Sequence, residues 1–112
     1  ALAGAAGRVG VASDLKGADL VVNATPLGLA GSDADVLPVD PDLLGEGQLV
    51  VDLVPNPAVT PLMRAARARG SRAAGGLGML VHQGALAFEL WTGRPAPLGV
   101  MRSAAVQALN AG

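Results

Sequence analysis

The apolar positions of the chain fall into two kinds of run. Asp19-Leu20-Val21-Val22-Asn23-Ala24-Thr25 and Gln48-Leu49-Val50-Val51-Asp52-Leu53-Val54 are short, nearly unbroken, and end in polar residues or proline. A strand with one face in water alternates, so unbroken runs of this length predict strands of a parallel sheet buried on both faces. Val9-Gly10-Val11 is expected to add a further short strand, followed by one helical turn at Ser13-Asp14-Leu15-Lys16. Ser71-Arg72-Ala73-Ala74 has the length of a short edge strand.

The other runs are periodic. Thr60 can cap a helix, Pro61 suits its first position, Leu62, Ala65, Ala66 and Arg69 follow at helical spacing, and Gly70 ends it. Leu77, Val81, Gly84, Phe88 and Trp91 recur every three to four residues, predicting an amphipathic helix from Leu77 to Thr92 stopped by Gly93. After the break from Pro95 to Gly99, Val100 to Leu109 reads as a terminal helix. Between the two main strands lie Gly28, Gly31, Ser32, Pro38, Pro41, Gly45 and Gly47, which allow no long element beyond a turn at Asp42-Leu43-Leu44. Long connections of this kind are often functional. The alternation of strand and helix predicts an α/β fold, a parallel sheet with right-handed crossovers that forms the second half of a doubly wound sheet.

Composition narrows the chemistry. With 112 residues there is room for one core, and with 51% hydrophobic but 2% aromatic residues that core must be Ala, Val and Leu. The net charge of -1 argues against a nucleic-acid binder. Arg64, Arg67, Arg69 and Arg72 cluster on one helix and its exit, but without interleaved aromatics they read as a solvated face. The absence of cysteine removes disulfides, thiol nucleophiles and thiolate metal sites, and the lone His82 cannot pair at ligand spacing, so no metal is expected. A reducing cytoplasm fits this usage. No apolar stretch approaches the roughly 18 residues of a transmembrane span, so no membrane partner is expected. The opening Ala1-Leu2-Ala3-Gly4 has neither an initiator Met nor a charged signal region, which suggests a chain cut from something longer.

Ligands of open parallel sheets bind at the carboxyl ends of strands, which makes Asn23, Ala24 and Thr25 candidates, although short polar side chains also bond their own turn. Leu53 stands just past the equivalent end of the next strand. Gly76 precedes a helix start, where it serves either a close backbone approach or a turn with positive φ. The Gln83 carboxamide can both donate to and accept from a hydroxyl. His82 points about 100° away from Gln83 around the helix axis and is rejected as an acid. A single carboxylate such as Asp52 is more often bonded to neighbouring loop amides than catalytic.

Three segments, in this order, carry a signature: Val22-Asn23-Ala24-Thr25-Pro26-Leu27-Gly28; Val51-Asp52-Leu53-Val54-Pro55-Asn56-Pro57 with Thr60-Pro61-Leu62; and Gly76-Leu77-Gly78-Met79-Leu80-Val81-His82-Gln83 running to Ala87-Phe88-Glu89-Leu90-Trp91-Thr92-Gly93. Together they resemble the cofactor domain of shikimate dehydrogenases. The resemblance implies hydride transfer between NADP(H) and the 3-dehydroshikimate/shikimate pair. It also implies cofactor contacts from Asn23, Ala24, Thr25, Leu53 and Gly76, and a substrate contact from Gln83. Residues 1–112 would then be a partial dinucleotide-binding domain of a Rossmann-like fold with its first two strands missing. The Gly-rich loop, the substrate domain and every catalytic residue would lie outside this chain. On that topology the strands present could not form one continuous native sheet. The edge from Leu20 to Ala24 would stay open unless an N-terminal segment or another chain completed it, leaving the 112 residues unstable or associated. Where the family usually has Tyr, this chain has Pro55, so a phenolic hydroxyl for the substrate carboxylate is lost. That departure leaves two rivals: a related dehydrogenase of a cyclic polyol such as quinate, and a non-catalytic remnant acting as an interaction module.

Overall fold

Two strands carry nearly the same sequence, Leu-Val-Val-Asn in β1 (Leu20–Asn23) and Leu-Val-Val-Asp in β2 (Leu49–Asp52). In the computed structural model, which describes residues 2–31 and 34–111, they pair in parallel with like positions opposite, Val21 beside Val50 and Asn23 beside Asp52. Ser32 of the long connection lies outside the described residues. β3 (Arg72–Ala74) adds to the other side of β2, giving a parallel sheet in the order β1-β2-β3. Backbone bonds extend the ladder at both ends, from Leu49 N–H to the Asp19 carbonyl at 2.9 Å and from Leu53 N–H to the Asn23 carbonyl at 3.1 Å.

Helix α1 (Pro61–Ala68) forms as its signals direct. The Thr60 hydroxyl accepts from the Met63 amide at 3.2 Å, and Pro61 occupies the first turn. At the far end Gly70 takes φ of 86°, with Gly70 N–H bonded to the Arg67 carbonyl and Ser71 N–H to that of Ala66. This pair of bonds is a Schellman termination, which favours glycine at its left-handed position. The buried face of α1, Leu62 and Ala66, closes over Val21, Val50 and Leu44 to make the core. The turn predicted at 42–44 is a 3-10 helix, Pro41–Leu43, whose Asp40 side chain accepts from the Asp42 amide.

Helix α2 (Leu77–Thr92) has the predicted bounds, and Gly93 ends it at φ of 66°. Helix α3 (Leu98–Ala111) begins earlier than Val100, its first turn absorbing Leu98 and Gly99. The two helices lie together, close enough that a side chain on Gly84 would meet the Met101 methyl at 3.4 Å.

Four expectations are corrected. Val9-Gly10-Val11 is not a strand: the segment is exposed and is followed by a 3-10 helix, Ala12–Gly17, that the Asp14 carboxylate holds through the Val11 amide. The three strands that do form are adjacent, so the sheet of this chain is continuous. Burial on both faces fails for β1, where Leu20 is 55% and Val22 48% exposed, because no described element covers that side of the strand. Trp91 completes the periodic stripe of α2 yet is 81% exposed, since the buried part of the helix is confined to Val81 and Ala85. The open helix pair and open sheet face agree with a radius of gyration of 16.0 Å, against about 13 Å for a compact chain of this length.

Candidate functional site

Beyond their last residues, β1 and β2 run into two loops that form opposite walls of a cleft. Ala24, Thr25, Pro26 and Leu29 line it from one side and Leu53, Val54 and Pro55 from the other, with Met79 of α2 contributing to the lining, enclosing about 390 Å³. Almost all of this lining is apolar side chain, and none of it is charged. The loops are tied across by backbone, Leu53 N–H to the Asn23 carbonyl and Ala30 N–H to that of Asn56 at 2.9 Å. In the first loop Leu29 N–H bonds the Pro26 carbonyl, with Gly28 in the third position of the turn at φ of 93°, a value that excludes most side chains.

The residues selected from sequence do not all sit alike. Ala24, Thr25 and Leu53 are in the cleft wall. Asn23 is beneath it, buried, and its carboxamide is fully engaged within the protein: Oδ1 accepts from the Thr25 amide (3.0 Å) and hydroxyl (2.6 Å), while Nδ2 donates to the Leu27 carbonyl (3.2 Å) and to Asp52 (3.0 Å). It shapes the loop from within and has no polar group left for a ligand.

Gly76 is not a turn residue of positive φ, since its φ is -88°. What requires glycine is crowding: a Cβ there would stand 2.3 Å from the Leu53 carbonyl oxygen and 2.6 Å from its carbon. The start of α2 is thereby pressed against the backbone of a cleft-wall residue, which fixes the helix that carries Met79 relative to Leu53.

Gln83 lies outside the immediate lining, one helical turn beyond Met79, so that the two share a face of α2. It is exposed, and its Nε2 donates to the Leu80 carbonyl at 3.0 Å. The ring of His82 is tethered instead to the Gly78 carbonyl at 2.8 Å. Met79 was not singled out from sequence. The available signal was its place between Gly76 and Gln83, one turn from each.

Asp52 bonds a neighbouring loop amide, as expected, and two side chains besides. It is wholly buried, and besides the Val54 amide (3.1 Å) it accepts from two side chains, Asn23 (3.0 Å) and the Thr60 hydroxyl (2.6 Å). Among the described residues no buried side-chain polar atom lacks a partner, and no cluster of three potential metal ligands occurs. No described helix is long and apolar enough to cross a membrane.

The arrangement suits a flat ring. Most of the surface that the cleft presents is apolar, with Leu53, Val54 and Met79 among its lining. The charged parts of a dinucleotide would have to be held outside this lining.

Residues 76–106 match the model of the Shikimate 5'-dehydrogenase C-terminal domain. Shikimate dehydrogenase (NADP(+)) of Archaeoglobus fulgidus is 55% identical over 98 residues, which is 87% of this chain and 36% of that protein. The shikimate 5-dehydrogenase of Thermus thermophilus, solved in complex with NADP(H) and shikimate, superposes with a TM-score of 0.81 at 41% identity, covering 91% of this chain and 38% of that one. Quinate dehydrogenase of Corynebacterium glutamicum, solved with NAD, superposes with a TM-score of 0.70 at 36% identity, over 87% of this chain and 34% of that one. The chain spans about a third of the length of the curated relatives it matches. The parallel sheet with flanking helices is therefore part of a Rossmann-like domain.

Proposed function

Because the chain belongs to the shikimate dehydrogenase family, we propose that it is the nicotinamide-facing part of an NADP-dependent enzyme that interconverts 3-dehydroshikimate and shikimate. The observation that carries this reading is the apolar cleft at the carboxyl ends of β1 and β2, walled by Leu53 and Met79 and braced by Gly76. NADP, when bound, supplies the hydride acceptor or donor. The residues of this chain hold and orient. Leu53 and Met79 present an apolar surface to one ring face, Ala24 and Thr25 edge the mouth with backbone groups, and Gly76 keeps the α2 start close to the ring. Gln83 offers a carboxamide to a substrate hydroxyl from the next turn of α2. Such positioning lowers a barrier by removing orientational freedom before reaction. No residue of the cleft lining can move the proton that accompanies the hydride, since none of them titrates. That role belongs to chain outside these residues. This part of the protein is accordingly a partial dinucleotide-binding domain, incomplete as a catalyst alone and working in the cytoplasm.

A second reading is favoured by Pro55. It lines the cleft with a ring that has no hydroxyl, so a carboxylate or hydroxyl approaching there finds no donor from that position. The loss of that donor changes how the polyol is held, and a related cyclic polyol such as quinate is the alternative substrate.

The test is an assay of the full-length gene product with shikimate and with quinate, each with NADP and with NAD. Turnover of shikimate with NADP is expected, and Gln83→Ala should raise KM for the polyol while leaving that for the cofactor unchanged. Preference for quinate would establish the second reading. Turnover of neither would reduce the chain to a non-catalytic interaction module.

A further inference from the structure

We propose that Asp52 is a positioning residue, which sets the two loops of the cleft against each other through Asn23 on one side and through Val54 and Thr60 on the other. The proposal rests on the reading of the cleft as a nicotinamide wall and extends it to residues that touch neither ring nor substrate.

Asp52 has no exposed surface, so no ligand reaches it. Its influence travels by hydrogen bonds. Oδ1 accepts from the amide of Val54, itself a cleft-wall residue, and fixes the β2 exit directly. Oδ1 also accepts from Asn23, whose other carboxamide bonds hold Thr25 by two donors and Leu27 by its carbonyl. Oδ2 accepts from Thr60, which caps α1 through the Met63 amide.

The direction of every proton in this network is determined. The Leu27 amide donates to the Thr25 hydroxyl, which donates to Asn23 Oδ1, so the Asn23 amide nitrogen must face Asp52. The Met63 amide donates to the Thr60 hydroxyl, which donates its own proton to Asp52 Oδ2. Two chains of donors converge on a group that must accept from both directions. A carboxylate does so, whereas the carboxamide of the same shape presents an N–H₂ to one of them.

A cap alone would not need this. Thr60 can accept from Met63 whether or not Asp52 is present. What Asp52 adds is a fixed distance between the loop bearing Thr25 and the loop bearing Val54, in a buried network where a mismatched donor is costly. Parallel register makes the link possible by placing Asn23 directly beside Asp52 on the core face.

The experiment uses the full-length protein carrying Asp52→Asn, Thr60→Val or Thr60→Ser. Steady-state kinetics are combined with amide hydrogen exchange at Thr25 and Val54, and with Val50 and Ala66, buried in β2 and inside α1, as core references. Asp52→Asn and Thr60→Val are expected to lower kcat by about 10- to 100-fold, the loss that displacement of up to 1 Å brings, with the cofactor KM little changed. Exchange protection should fall at Thr25 and Val54 in Asp52→Asn while Val50 and Ala66 keep theirs, and Thr60→Ser should restore kcat. Unchanged kcat in Asp52→Asn, or protection lost equally at all four amides, overturns the proposal. If the unmodified protein turns over neither polyol, the functional reading fails by itself. Exchange at Thr25 and Val54 then still decides whether Asp52 couples the loops, retained protection overturning it.

Discussion

Substitution of Gly76 by alanine is the sharpest perturbation of the site that the backbone offers. The new methyl would sit 2.3 Å from the Leu53 carbonyl oxygen, 2.6 Å from its carbonyl carbon and 3.0 Å from its Cα, all main-chain atoms with no rotamer by which to yield. To clear a 3.0 Å contact the start of α2 and the β2 exit must part by at least about 0.7 Å, an overpacking strain worth roughly 2–3 kcal/mol. In a protein of the relatives' size that is a fall in Tm of roughly 5–10 °C. Because Leu53 walls the cleft, the displacement should also lower kcat, by up to about 100-fold if the reacting atoms move by the same amount. Gly78→Ala is the matched control: the position is helical, nothing lies within 4 Å of its Cβ, and alanine there should be neutral or stabilising by up to about 1 kcal/mol. Thermal unfolding followed by circular dichroism, with steady-state kinetics on the same preparations, compares the two. If Gly76→Ala melts with Gly78→Ala and keeps its kcat, the crowding argument is refuted.

Three further outcomes are expected. Gly70→Ala places a Cβ at φ of 86° and 2.8 Å from the Glu46 side chain, and should cost about 1 kcal/mol or more in urea unfolding. Asp14 titrates below its ordinary value because the Arg8 guanidinium bonds it at 3.1 Å and, secondarily, because the Val11 amide does. A depressed folded value means that its support for the Ala12–Gly17 turn is full above the unfolded carboxyl range and is lost as pH falls through the lowered value. NMR titration should show the Asp14 midpoint rising in Arg8→Ala. The exposed apolar residues of β1, Leu20 and Val22, should make the 112 residues associate when produced alone, and Val22→Lys should weaken that association in sedimentation velocity. A cooperatively unfolding monomer at all concentrations would contradict it.

The elements were legible where a local signal decided them. Thr60, Pro61 and Gly70 bracket α1 because capping depends on a few adjacent groups, and the two Leu-Val-Val runs mark β1 and β2 because apolar β-branched residues there have no competing local use. Signals that depend on distant partners misled. Val9-Gly10-Val11 has strand composition but no strand to pair with among the described residues, and the periodic stripe of α2 includes Trp91, which nothing described covers. Within the site, Leu53 and the Ala24-Thr25 turn could be chosen from their place after strands, whereas Met79 was marked only by its place one turn from both Gly76 and Gln83, since a methionine in an apolar helix does not itself show what it faces.

By itself the sequence determined which runs become β1 and β2, where α1 and α2 start and stop, and that no thiol chemistry could arise, because these follow from residue type and short-range spacing. Only the tertiary structure decided what those residues do. Parallel register set Asn23 beside Asp52, and that contact joined a candidate ligand group and a carboxylate expected to bond only loop amides into one buried network. The approach of α2 to the β2 exit turned Gly76 from a presumed turn residue into the point where two backbones touch. Both results depend on distances between segments far apart along the chain, which no local pattern encodes.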